Sequence, residues 1–357
     1  MIGKKGKFLT AVMAGVVALS LVGCGTTTQQ PGTPAAPKEE PTVTLNGAGA
    51  TFPQPLYSAM FDKYHQDHPK ITINYQGVGS GAGIKQINEQ TVDFGASDGP
   101  MTDAQLKDAK GGKLIHIPAT LGATAVAYSL PNNPQNLKIA PDVLADIFLG
   151  KIKKWNDARI TADNPEAKLP DLAINVAHRS DGSGTTFNFV DYLSSISPEW
   201  KSKVGVGTSV NWPVGVGGKG NAGVAGAIKQ NEGTIGYVEL AYAKQNKIPV
   251  ALIKNKAGKW VAPSLQGASA AAAGATIPDD YRVSIVNAPG DASYPISTFT
   301  WLLVYEKQTD KVKGETLVTL VKWMIHDGQN LSEGLDYAKL PANLVTRLDA
   351  TLKTITY

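Results

Sequence analysis

Three short segments set small residues and hydroxyls where a helix is predicted to begin. They are Gly47-Ala48-Gly49-Ala50-Thr51-Phe52-Pro53, Gly77-Val78-Gly79-Ser80-Gly81-Ala82-Gly83 and Asp181-Gly182-Ser183-Gly184-Thr185-Thr186. Glycine lets the backbone come close to a ligand, and a helix start leaves N–H groups without intrahelical partners. Such N–H groups, the positive end of the helix dipole and Ser or Thr hydroxyls together suit an anion. Gly-Ser turns also start helices for no other reason, so one loop decides little. Three in one chain favour an anion without naming it.

Arginine narrows the choice. Of 34 basic residues only Arg159, Arg179, Arg282 and Arg347 are arginine, and Arg179 stands four residues before Ser183. A guanidinium donates two parallel hydrogen bonds to a tetrahedral oxyanion, which lysine cannot do. Asp181, two residues on, could hold that guanidinium, or serve as a turn or cap residue. In Asp93-Phe94-Gly95-Ala96-Ser97-Asp98-Gly99-Pro100, Asp98 ends a predicted strand, where ligands of α/β sheets gather. It also suits a turn before Gly-Pro. In an anion site a carboxylate is useful only if the anion carries a proton. Phosphate near neutral pH has one to give and sulfate has none, so Asp98 would select between them.

Other chemistries find less support. Gly218-Lys219-Gly220-Asn221-Ala222-Gly223 fits G-x-G-x-x-G, but one match is weak, and Pro213–Gly220 lacks the first glycine and the Ser or Thr of a nucleotide phosphate loop. His65 and His68 have no companion ligands for a metal. The five histidines (His65, His68, His116, His178 and His326) form no hydrolase motif with Ser80 or Ser183, so neither catalysis nor a cofactor is expected.

The elements that must position these residues alternate. Short apolar runs at Val43–Leu45, Ile71–Tyr75, Phe94–Ala96, Leu114–Ile117, Ala123–Ser129, Ala173–Ala177, Ile235–Val238 and Ser297–Tyr305 predict strands. Helical patterns fall near Pro53–Gln66, Asp103–Ala109, Pro141–Leu149, Thr185–Ser194, Ala222–Gln230 and Gly314–His326. This alternation predicts an α/β fold with largely parallel sheets. Thr102–Gln105 has capping-box form, Gly150 stops a helix, and the alanine-rich Ala268–Ala275 could be helix or surface excursion.

The N-terminus predicts export. Lys4, Lys5 and Lys7 precede an apolar run, Phe8–Gly15 continuing through Val16–Val22, that ends at Leu21-Val22-Gly23-Cys24. That ending resembles a lipobox, which implies cleavage after residue 23 and lipid on Cys24, the chain's one cysteine. Residues 24–41 then carry the lipidated cysteine and a flexible tether, since Gly25–Pro41 has no large apolar side chain. Removal of the three lysines takes the formal charge from +4 to about +1, which argues against nonspecific nucleic-acid binding. The remaining length suits two domains.

The chain resembles the phosphate-binding proteins of high-affinity phosphate ABC transporters. The matching stretches are Gly47–Pro53, Asn74–Gly83, Thr91–Asp98, Phe148–Trp155, Arg179–Phe187, Trp212–Asn221, Gly233–Asn246 and Leu335–Leu340. The resemblance implies a two-lobed periplasmic-binding-protein-like fold of type II. Residues 42–127 with 297–357 would form one lobe and 128–296 the other. Its hinge would be two crossing segments, near Val126–Leu130 and Pro295–Phe299. Phosphate would meet Thr51, Phe52, Ser80, Asp98, Arg179, Ser183, Gly184 and Thr185, with Asp181 orienting Arg179. The implied partners are a membrane permease and its cytoplasmic ATPase. The implied protein is a monomer, lipid-anchored on the outer face of the cell membrane. The alternative is a receptor for sulfate, molybdate or tungstate.

Overall fold

The alternating apolar runs condense into one eight-stranded mixed sheet with helices on both faces. The computed structural model describes residues 41–357, which cluster as one compact unit. The predicted export signal, Cys24 and the tether up to residue 40 lie outside the described residues.

The chain opens with β1 (Val43–Gly49), α1 (Gln54–Asp67), β2 (Ile71–Gly77), α2 (Ser80–Asn88), β3 (Phe94–Ser97) and α3 (Asp103–Lys107). Next come β4 (Leu114–Tyr128), β5 (Lys138–Ile139), α4 (Pro141–Phe148), α5 (Ala158–Asp163), β6 (Asn175–Arg179), α6 (Gly184–Ile196) and α7 (Pro198–Lys203). They are followed by β7 (Val216–Gly218), α8 (Gly220–Gln230), β8 (Thr234–Glu239), α9 (Leu240–Gln245), β9 (Leu252–Lys254) and β10 (Trp260–Val261). The chain closes with α10 (Leu265–Ala273), β11 (Ser297–Tyr305), α11 (Lys311–Ile325) and α12 (Ala342–Leu352).

The large sheet runs β2-β1-β3-β11-β4-β8-β6-β7, and β10-β9-β5 form a small one. Its flanks are parallel, as expected, but its centre is not. β11 runs antiparallel to β3 and β4, and β4 antiparallel to β8. The two predicted strands Leu114–Ile117 and Ala123–Ser129 are one continuous β4, buried along its whole length. Pro118 does not interrupt it, because the β11 ladder shifts register between Thr300 and Trp301, opposite that proline. A bulge is where a sheet tolerates a residue without an N–H. Between Ala123 and Thr124, β4 changes partner from β11 to β8.

Each side of that handover has its own apolar core. One gathers Leu56, Phe61, Ile87, Phe94, Trp301 and Leu320, and the other Phe148, Trp155, Phe189, Trp200 and Tyr237. The alanine-rich stretch is the helix α10, and it packs on β4 and β11. Its Ala268, Ala271 and Ala272 enter the first core although they come from the middle of the chain. Thr102 and Gln105 form the predicted capping box, and Gly150 (φ +74°) follows α4. No described helix is long and apolar enough to cross a membrane.

Candidate functional site

Four helices, α1, α2, α6 and α8, begin where strands of both sheet halves end, and their first residues converge. At the end of β1, Gly49 (φ +149°) must be glycine, because a Cβ there would stand 2.0 Å from the Ala96 carbonyl oxygen. The chain can then turn into Thr51 and Phe52, with Ala50 N–H bonded to Ala96 O at 2.9 Å. Asp98 directly follows β3, and Arg179 is the last residue of β6. That strand lies two residues later than its apolar run predicts.

Ser80, the first residue of α2, ties the two halves together. Its Oγ accepts from Asp98 N–H at 3.2 Å and from Gly184 N–H at 3.0 Å. Gly184 has no room for a side chain, since a Cβ would lie 2.6 Å from both Asp98 Cβ and Ser80 Oγ. Asp98 itself is 1% exposed. Thr300 Oγ1 donates to its Oδ1 at 2.8 Å, Ser80 Oγ is 3.4 Å from Oδ2, and Asn188 Nδ2 donates to its carbonyl at 3.0 Å. Burial pushes the Asp98 carboxyl up to about 7, against the pull of Thr300, Arg179 and Ser80.

The guanidinium of Arg179 is buried and forks onto Asp181, with Nε to Oδ1 at 2.8 Å and Nη2 to Oδ2 at 2.5 Å. Nη1 reaches Thr185 Oγ1 at 3.4 Å. Burial raises Asp181, but Arg179 outweighs it and holds the carboxyl below its usual range. Asp181 also accepts from Gly220 N–H at 3.0 Å, which fixes the start of α8.

The hydroxyls share one property. Thr51 Oγ1 accepts from Asn221 N–H (3.2 Å) and Nδ2 (3.0 Å), and Ser183 Oγ caps α6 by accepting from Thr186 N–H (3.1 Å). Thr185 Oγ1 accepts from Arg179 and from Asn221 Nδ2 (3.1 Å). With Ser80, all four hydroxyl oxygens accept from N–H donors, so each hydroxyl proton is turned elsewhere. The Thr51 and Phe52 carbonyls are bonded by Tyr242 and Tyr337, both at 2.6 Å. This directs the Phe52 N–H, which shares a peptide plane with the Thr51 carbonyl, to the opposite side. The arrangement is rich in donors around one buried carboxyl.

A model of the PBP superfamily domain matches residues 35–327. The phosphate-binding protein PstS of Xylella fastidiosa (strain 9a5c) is 45% identical over 324 residues, covering 89% of this chain and 87% of that protein. The chain belongs to the PstS family of phosphate-binding proteins. The PstS of Methanocaldococcus jannaschii is 39% identical and covers 93% of each chain. A solved high-affinity periplasmic phosphate-binding protein with phosphate bound, 21% identical, superposes with a TM-score of 0.70 over 86% of this chain and 93% of that one. The fold is therefore the mixed α/β PBP fold.

Within this PstS-family site, the eight predicted ligands and Asp181 lie on one connected set of loops. Sequence reasoning missed Asn221, Asn188, Thr300, Tyr242 and Tyr337. Asn221 had a signal: Gly218-Lys219-Gly220-Asn221 repeats the glycine-then-helix layout of the other three loops. Thr300 had a fainter one, as a hydroxyl in the otherwise apolar β11. Of the residues set aside, His65 bonds the Ile71 carbonyl through Nδ1 (2.6 Å), and His68 stacks on Tyr64. His178 stacks on Trp212.

Proposed function

We propose that this chain captures inorganic phosphate outside the cytoplasm and delivers it to an ABC permease driven by a cytoplasmic ATPase, without catalysing a reaction. Its relatives carry the name of phosphate-binding proteins, and the site supports the same ligand here. The carrying observation is the pairing of many donors with a single buried acceptor, Asp98. A dianion without protons would satisfy the donors and clash with the carboxylate; hydrogen phosphate satisfies both.

In this reading Arg179, the hydroxyls of Thr51, Ser80, Ser183 and Thr185, the amide of Phe52 and, once released from Ser80 Oγ, the amide of Gly184 donate to the anion. Residues 42–127 with 297–357 form one lobe and 128–296 the other, hinged at β4 and ahead of β11. The separate cores and the change of partner in β4 support a division of this kind, although the change falls at Ala123–Thr124 and residues 265–285 (α10 with Tyr281 and Ile285) pack on the first lobe. Titration calorimetry at pH 8, where Asp98 is mainly ionised, should give phosphate binding and no measurable heat from sulfate, molybdate or tungstate. Sulfate binding as tight as phosphate would overturn the reading.

The receptor acts as a monomer held to the outer face of the membrane by lipid on Cys24. The basic start, apolar run and Leu21-Val22-Gly23-Cys24 support the anchor. Mass spectrometry of the membrane-extracted protein should show a mature N-terminus at Cys24 carrying acyl mass; an N-terminal Cys24 without lipid, or a chain beginning elsewhere, would exclude the anchor.

A further inference from the structure

Glu239 ends β8 at the point where β4 changes partner, opposite Thr124 in the ladder. Its side chain is fully buried. Oε2 accepts from Ala241 N–H at 2.8 Å, while Oε1 has no hydrogen-bond partner among the described residues. Tyr337 Oη lies 3.0 Å from Oε2 and 2.6 Å from the Phe52 carbonyl oxygen.

Hydrogen counting constrains this chain of oxygens. The Phe52 carbonyl can only accept, so the single Tyr337 hydroxyl proton goes to it, along the shorter contact. The contact between Oη and Oε2 then needs a second proton. No N–H lies between them, and the carboxyl is the group that can carry it. We infer that Glu239 is a protonated carboxylic acid that donates to Tyr337 and, through it, positions the Thr51–Phe52 turn of the phosphate site. This deepens the phosphate reading and rests on it only for the role of that turn.

The surroundings agree. The groups facing Glu239 are Tyr337, Asp336 beside it, and Tyr242 on α9. The nearby cation Lys244 is engaged by Asp336 at 2.5 Å, and no described Lys, Arg or His forms an ion pair with Glu239. Burial, opposed by the Tyr337 hydrogen bond and helped by the charge of Asp336, drives the carboxyl well above its usual range. A bare carboxylate here would be buried without a counter-charge.

The sign of the linkage follows. A carboxyl raised in the folded state is neutral in both states below about pH 4, and its cost to stability grows as pH rises from there toward the folded value. Glu239→Gln removes that cost. Its melting temperature, relative to wild type in saturating phosphate, should therefore gain about 2–3 °C per pH unit between pH 5 and 8. Infrared spectroscopy of the phosphate-saturated wild type at pH 8 should show a protonated carboxylic C=O stretch that is lost in Glu239→Gln and retained in Asp98→Asn. Phosphate affinity should fall about tenfold in Tyr337→Phe and less in Glu239→Gln. Absence of the band in wild type, its survival in Glu239→Gln, or a pH-independent melting gap would overturn the protonation. Wild-type affinity in Tyr337→Phe would overturn the positioning role. A wild type with the band but no heat of phosphate binding would sink the receptor reading and leave the proton on Glu239 in place.

Discussion

Arg179→Ala is expected to weaken phosphate binding by about a hundredfold to ten-thousandfold. The guanidinium has five N–H groups; two fork onto Asp181 and a third makes the long contact to Thr185, so the rest can point at an oxyanion. Two charge-assisted hydrogen bonds at about 1.5–3 kcal/mol each sum to roughly 3–6 kcal/mol, which sets that range. The loss is compounded, because Asp181 would keep its charge beside the anion with only Gly220 N–H and its own backbone to offset it. Arg179→Lys should fall between the two, since an ammonium restores the charge but cannot fork onto both Asp181 oxygens and still present a planar pair of donors. Calorimetric titration of the three proteins checks the series. An alanine variant within threefold of wild type would remove Arg179 from the site.

Asp98→Asn should reverse part of the anion selectivity. The wild-type carboxylate offers lone pairs to the anion's O–H and repels an anion that has none. The amide offers donors instead. Phosphate should bind roughly tenfold to a hundredfold more weakly, and sulfate should bind measurably, for a change of about 1.5–3 kcal/mol in each direction. The same residue predicts a pH dependence. Because burial places Asp98 near 7, the folded protein holds this proton more tightly than the unfolded chain does. The associated stability is complete below the ordinary carboxylate value near 4 and drains away as pH rises to about 7. Between pH 8 and 5.5 the wild-type site should therefore admit sulfate progressively, as Asp98 gains a proton to donate. The asparagine variant should show no such dependence, and a sulfate affinity in wild type that ignores pH would detach selectivity from Asp98.

How far the sequence discloses this site depends on what each residue does locally. Ser183 and Thr102 are legible because capping is a short-range interaction, written into residues three apart. Arg179 and Asp181 are legible for the same reason, being two residues apart with complementary charge. Asn221 and Thr300 act at long range: one bridges to Thr51 across 170 residues and the other to Asp98 across 202. The local layout marks Asn221 as a helix-start residue and Thr300 as a hydroxyl in an apolar strand, but it names neither one's partner. The strands show the same division. β3 is plain in its apolar run to within a residue, whereas the run at Val43–Leu45 stops four residues short of the end of β1, and Pro118 and Gly122 divide β4 for a reader who sees one strand at a time. Only the pairing with β11, far along the chain, lets the strand pass through, with Ala119 of β4 bulged out beside Pro118 opposite the Thr300–Trp301 step. Alanine-rich α10 is ambiguous alone because methyl groups suit both a solvent-facing helix and close packing; the ladder of β4 and β11 beneath it decides.

The unbroken course of β4 has a thermodynamic consequence. All fifteen of its residues are buried, and its two ends complete the ladders of different strand sets. Neither set is whole without it, so excising either part would leave an open edge where an interior strand belongs. Melting one core withdraws a wall from the other. The molecule is therefore expected to melt in a single calorimetric transition, and two resolved transitions would show that the cores are independent.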